Sequence, residues 1–168
     1  MQTEITGYLT ELDRQYQTGT ATEHTYRPAL QRLLSAMMPQ HLVSNEPVRQ
    51  VCGAPDLILL RKKDNIPSAY AETKDIGDLD LAGCRKNKTQ FNKYKNALDN
   101  ILFTDYLDFH LYEKKEFIDS VRLAKLKEGK IQILKENVEK ICSVDQPFRQ
   151  SGTANYRFRC KTCRNYSK

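Results

Sequence analysis

Asp56, which follows Ala54-Pro55, and the triplet Glu72-Thr73-Lys74 are the residues of this chain whose types and spacing could do chemistry together. Two carboxylates and an ammonium group brought to one point can hold a divalent cation and set a water against a phosphodiester. The expectation is a metal-dependent nuclease site. Oxygen ligands of this kind suit Mg²⁺, with Mn²⁺ able to substitute, because Mg²⁺ prefers octahedral oxygen coordination and keeps several waters beside one or two carboxylates. Lys74 would orient or help deprotonate the attacking water and offset negative charge in the transition state. On these residues alone a plainer account stands beside the first: Asp56 caps a turn after Pro55, and Glu72 and Lys74 line a solvated strand edge.

For the acids to meet, two strands must pair. Leu57-Ile58-Leu59-Leu60 has the pattern of a strand covered on both faces, and Ala69-Tyr70-Ala71-Glu72-Thr73-Lys74 is a second candidate. Between them Lys62-Lys63-Asp64-Asn65 is a polar turn signal, so the segment predicts a hairpin. Centring it near Asp64 pairs residues whose numbers sum to 128 and sets Asp56 across from Glu72. Directly opposed residues have Cβ atoms roughly 4.5–5.5 Å apart, close enough to share one ion. Alternation along the strand puts Glu72 and Lys74 on one face and points Thr73 away.

A basic helix is predicted next, over about 86–99. Arg85 to Lys95 contains five basic residues and no acid. Phe91, Tyr94 and Leu98 have the spacing of a core-facing stripe. Gln90 and Tyr94 are four apart and stack on one face, with Lys86 one turn earlier. Arg85, Lys86, Lys88 and Lys93 are the candidate phosphate-backbone contacts. Gln90 would brace the acids or touch the scissile phosphate.

Asp56 with Glu72-Thr73-Lys74 resembles the PD-(D/E)XK nuclease signature, and Gln90 with Tyr94 resembles the Gln-x-x-x-Tyr pair of its RecB-like branch. Ala21-Thr22-Glu23-His24-Thr25-Tyr26-Arg27-Pro28-Ala29-Leu30, Gly77-Asp78-Leu79-Asp80 and Ile101-Leu102-Phe103-Thr104-Asp105-Tyr106 with Phe109 resemble the amino-terminal nuclease domain of single-polypeptide restriction-modification enzymes, which join a nuclease to an adenine methyltransferase. The resemblance covers roughly residues 20 to 115. It implies a restriction-endonuclease-like α/β fold, a mixed sheet flanked by helices, and hydrolysis of DNA to a 5′-phosphate and a 3′-hydroxyl. It implies metal ligation by Asp56, Glu72 and the backbone carbonyl of Thr73, and catalytic work by Lys74. Glu23 matches an upstream helical acid, although Thr20-x-x-Glu23 also has the form of a capping box. Gln90 and Tyr94 match the downstream pair. A separate methyltransferase, motor or specificity chain is an implied partner.

Composition agrees with this reading. With 168 residues the chain can hold one well-formed core, or a core plus a tail, but not a nuclease together with a methyltransferase. A net charge of +6 and a pI near 9.0 favour a polyanionic partner. No apolar run approaches the roughly 20 residues that span a bilayer, and there is no signal-peptide profile. Five cysteines, an odd number, suggest no disulfide framework and a cytoplasmic setting. His24, His41 and His110 form no metal-ligand pair or triad order and are read as structural.

The expected organisation is an amino-terminal helix in 1–19, a nuclease core in 20–115, a helical extension in 116–142 and an irregular tail or linker in 143–168. Helical spacing marks residues 4–16 and the stripe Tyr26, Leu30, Leu33, Leu34 and Met37, which Pro28 either starts or kinks. Strands are expected at 42–46, 56–61, 68–75, 101–105 and 108–112. Beyond 115, Ile118-Val121-Leu123-Leu126 and Ile131-Leu134-Val138-Ile141 read as short helices divided at Gly129. Cys160-Lys161-Thr162-Cys163 is half of a zinc site and predicts no bound zinc in the monomer. The ending reads as that of a free-standing module or a shortened gene product. Two other functions compete: a DNA-binding module without catalysis, and a docking subunit of a larger restriction-modification assembly.

Overall fold

The computed structural model describes residues 1–48 and 52–143. The expected tail, with Cys160 and Cys163, therefore lies outside the described residues apart from its first residue. Two helices come first, α1 (Gln2–Tyr16) and α2 (Glu23–Met37). Then follow β1 (His41–Asn45), β2 (Leu57–Arg61), β3 (Pro67–Thr73), α3 (Lys88–Ala97), β4 (Asn100–Thr104), β5 (Asp108–Glu113) and β6 (Glu116–Arg122). A hairpin, β7 (Ala124–Lys127) with β8 (Lys130–Ile133), and α4 (Lys135–Ser143) follow.

Six strands form one mixed sheet in the order β1-β2-β3-β4-β5-β6. Every neighbouring pair is antiparallel except β3 and β4, which run parallel because α3 crosses between them. The stripes read from the sequence decide which face each helix covers. Ile5, Leu9 and Leu12 of α1 and Leu30, Leu33 and Leu34 of α2 pack with Leu57, Leu59 and Ala71 on one face of the sheet. Phe91, Tyr94 and Leu98 pack with Ile101, Phe103 and Tyr112 on the other. Phe91 stacks on Phe103 with ring centroids 3.7 Å apart. That stacking needs Gly83: at φ +68, a Cβ there would lie 2.8 Å from Phe91 Cβ.

Between Leu57↔Ala71 and Leu59↔Ala69 the β2–β3 pairing has the predicted sum of 128, shifting by one only at a bulge beyond Leu59. The segment from 116 to 133 departs from expectation. Its spacing predicts helices, yet it forms three strands; among the described residues beyond 116, the helix is Lys135–Ser143. The cause is the turns. Lys114 and Lys115 both sit at positive φ, as do Glu128 and Gly129, and two-residue turns of this kind match the twist of a hairpin. Gly129 thus reverses the chain within a ribbon. β6 then pairs along the whole of β5, and this tertiary pairing overrides the local spacing. The core on the α1 and α2 face also takes in Ala124, Ile131 and Val138, so residues beyond 116 complete it.

The cap of α2 also differs from expectation. Its N-cap is Thr22, in a capping box with Thr25, whose Oγ1 accepts the Thr22 N–H at 3.0 Å. Pro28 lies inside the helix. Glu23 is consequently the first helical residue and its side chain is free of capping duty. Among the described residues no helix is long and apolar enough to cross a membrane.

Candidate active site

At one end of the sheet β2 begins, β3 and β4 end, and β5 begins, so the flanking residues Asp56, Lys74 and Asp105 gather there. Glu72 is nearly buried, with a 4% exposed side chain. Its Oε1 accepts from Lys74 Nζ at 2.8 Å and from Gln90 Nε2 at 2.7 Å. Its Oε2 is buried with no hydrogen-bond partner among the described residues. Burial, then the charge of Asp56, pushes the Glu72 carboxyl up to about 7, against the lowering influence of Lys74. Gln90 therefore braces the acid, while Tyr94 sits one turn on with its hydroxyl donating to the Ala54 carbonyl at 3.2 Å. Burial raises the Tyr94 phenol to about 12, so it remains a proton donor to the segment that carries Asp56.

Thr73 points to the opposite face, as alternation requires, and there it engages Asp56. The Thr73 N–H donates to Asp56 Oδ2 at 2.7 Å, and Thr73 Oγ1 lies 2.7 Å from the same oxygen and 3.1 Å from Glu23 Oε1. One hydroxyl proton serves only one of these acids, and the shorter contact favours Asp56. Asp56 precedes β2 at the sheet's end, bonded on the Thr73 face, and its charge still acts on Glu72.

Sequence reading missed Arg27. It is 6% exposed, and its Nη2 lies 2.5 Å from Asp56 Oδ1 and 2.7 Å from Glu23 Oε1. Burial alone would lower the guanidinium, but its hydrogen bond to Glu23 and the charge of Asp56 hold it above its usual value. The signal was present as an acid and a base four apart on one helix, Glu23 and Arg27. Tyr106, fully buried, fixes the start of that helix by donating to the Glu23 carbonyl at 2.6 Å. Removing Arg27 would leave Asp56 and Glu23 uncompensated. Arg27→Met is expected to cost about 3–5 kcal/mol, and thermal melting should show a fall of roughly 6 °C or more.

Among the described residues three hydrogen bonds reach Asp56, leaving one of the roughly four lone-pair sites of a carboxylate. Among the described residues no three His, Cys, Asp or Glu side chains form a metal-holding group by themselves. A divalent ion here would rest on Asp56, the unpartnered Oε2 of Glu72 and a backbone carbonyl, with waters completing the shell, which is how Mg²⁺ is commonly bound. The donor set fits that ion.

The loop from β3 to α3, with Arg85 and Lys86, and α3 itself, with Lys88 and Lys93, hold the basic residues. Asp80 accepts the N–H groups of Cys84, Arg85 and Asn87, which anchors the entry to α3. Lys86 is paired with Asp78 at 2.9 Å and its side chain is exposed. Arg85, Lys88 and Lys93 stand exposed.

No protein-family model matches the chain, and no curated protein does. Among solved structures it is similar to a chain in the cryo-EM structure of a DrdV–DNA complex, at 24% identity and a TM-score of 0.60. The match covers 73% of this chain and 12% of that one. The fold is restriction-endonuclease-like, a mixed sheet flanked by helices.

Proposed function

We propose that this chain is a PD-(D/E)XK nuclease domain that hydrolyses DNA phosphodiesters with Mg²⁺, or Mn²⁺ in its place, within a restriction-modification system. The observation that carries the reading is Glu72: a buried carboxylate braced on one oxygen by Lys74 and Gln90, unpartnered on the other, and close enough to Asp56 to feel its charge. A buried unpaired carboxylate oxygen is costly to keep, which argues for a cation that it meets in the working state. The similar structure is a DNA complex, and the net charge of +6 suits the same partner.

Asp56, Glu72 and the Thr73 carbonyl would hold the ion, which when bound supplies Lewis-acid polarisation of a phosphoryl oxygen and a lowered pKa for water. Lys74 Nζ, fixed 2.8 Å from Glu72, orients the attacking water and offsets charge in the transition state. Gln90 keeps Glu72 in one rotamer. Arg27, itself paired with Glu23, holds Asp56 from the α2 side. Arg85, Lys86, Lys88 and Lys93 take the phosphate backbone. Sequence recognition falls to methyltransferase, motor or specificity domains or chains acting with this one.

End chemistry tests the proposal. Fragments produced with Mg²⁺ should carry 5′-phosphate and 3′-hydroxyl ends and be resealed by a DNA ligase without prior treatment. Ends that need a kinase or a phosphatase before ligation would show a different reaction.

A further inference from the structure

The β7–β8 hairpin carries three exposed lysines, Lys125, Lys127 and Lys130. Ala124 and Ile131 are buried, and Leu126 shares the face of Ile131. Alternation then sets Lys125, Lys127 and Lys130 together on the outer, exposed face. Lys127 lies directly opposite Lys130, a like-charge pairing that disfavours the free hairpin. The acid beside them is Glu128, 4.0 Å from Lys127 and 85% exposed. The ribbon is held firmly: Asp13 Oδ1 accepts the Ile131 N–H at 2.9 Å, and Gln17 Nε2 donates to the Gly129 carbonyl at 2.8 Å.

The hairpin also borders the candidate site. A Cβ on Gly77 would lie 3.2 Å from Leu126 Cδ1, and Gly77 stands three residues after Lys74 with its N–H given to Asp105 at 3.0 Å. Ala124 and Ile131 belong to the core on the α1 and α2 face, whereas α3 covers the other face. A polyanion laid across the Lys74 end of the sheet would meet Arg85, Lys88 and Lys93 on one side and the hairpin on the other.

We infer that the outer face of the β7–β8 hairpin is a second DNA-backbone contact, which grips the duplex on the side of the site away from α3. The inference rests on the DNA reading of that site. A cationic ribbon fixed in place against a phosphate track accounts for lysines that repel one another when no DNA is bound. It asks for backbone phosphate and not for particular bases, because lysine on a phosphate carries no sequence information.

The test is binding of a short fluorescent duplex, in chelator, over a range of KCl concentrations, by wild type, K125Q/K127Q/K130Q and K62Q/K63Q/K115Q. The last set removes equal charge from turns at the opposite end of the sheet. Each lost phosphate contact lowers the slope of log K against log salt by about 0.9, so the hairpin variant should lose about 2–3 in slope and roughly tenfold or more in affinity. The control should keep the wild-type slope. A hairpin variant that binds with unchanged slope, or a control that loses as much, would overturn the inference and leave the nuclease reading intact. A wild type that neither binds nor cleaves DNA would overturn both. Relief of the Lys127–Lys130 repulsion should leave the variant's melting temperature no lower than wild type, and a clear fall would assign the lysines to the fold instead.

Discussion

Glu72→Gln is expected to stabilise the metal-free protein at pH 8 while abolishing its response to Mg²⁺. The folded protein holds the Glu72 carboxyl up at about 7 against 4.5 for a free glutamate, chiefly through burial and then through Asp56. A raised acid binds its proton more tightly when folded, so its contribution to stability is neutral below about 4.5, worsens as pH rises, and levels off above about 7. The penalty at pH 8 is on the order of 3 kcal/mol. Glutamine resembles the protonated acid and still accepts from Lys74 and Gln90, so the variant should melt roughly 6–10 °C above wild type at pH 8. The gap should close as pH is lowered towards the range where glutamate is protonated in both states. Mg²⁺ should raise the wild-type melting temperature by mass action and leave the variant unmoved. A variant that melts below wild type at pH 8 without metal would show that the carboxylate is not under strain.

Lys74→Ala should lower single-turnover cleavage by about 10²–10⁴. Two effects act together. The ammonium that orients water and offsets transition-state charge is lost. Glu72 also loses its main lowering partner, so its carboxyl rises further and protons compete harder with a divalent ion at neutral pH. Raising the pH should therefore recover part of the lost metal affinity but not the rate at saturating metal. A variant whose rate returns fully at high pH and high Mg²⁺ would confine Lys74 to tuning Glu72.

Much of the central sheet was legible because its signals are local and agree with one another. The Leu57–Leu60 run, the polar turn near Asp64 and the period of two together specified the β2–β3 register, and the structure keeps it as far as the bulge. The stripe Phe91, Tyr94, Leu98 correctly named the buried face of α3. What failed depended on backbone conformation or on contacts distant in sequence. Lys114 and Lys115 do not announce a turn by residue type, because neither is a residue that favours positive φ, so spacing alone predicts a helix where β6 forms. Thr20-x-x-Glu23 and Thr22-x-x-Thr25 both fit a cap at the level of residue types, and packing chose the second. At the site, helix phase puts Gln90 and Tyr94 on one face, and of the two roles open to Gln90 the structure shows the brace on Glu72. The grip of Arg27 on Asp56 joins residues from α2 and the start of β2, and a buried cation among acids leaves little trace in hydrophobic periodicity.

Nicking of supercoiled plasmid by purified protein, with Mg²⁺ or with chelator, beside an Asp56→Asn variant, tests the central claim most directly. Mg²⁺-dependent relaxation and linearisation by wild type, lost with chelator and lost with the variant although it remains folded, is the predicted result. A folded wild type that binds the plasmid and leaves it intact with both Mg²⁺ and Mn²⁺, or cleavage that survives Asp56→Asn, would contradict it.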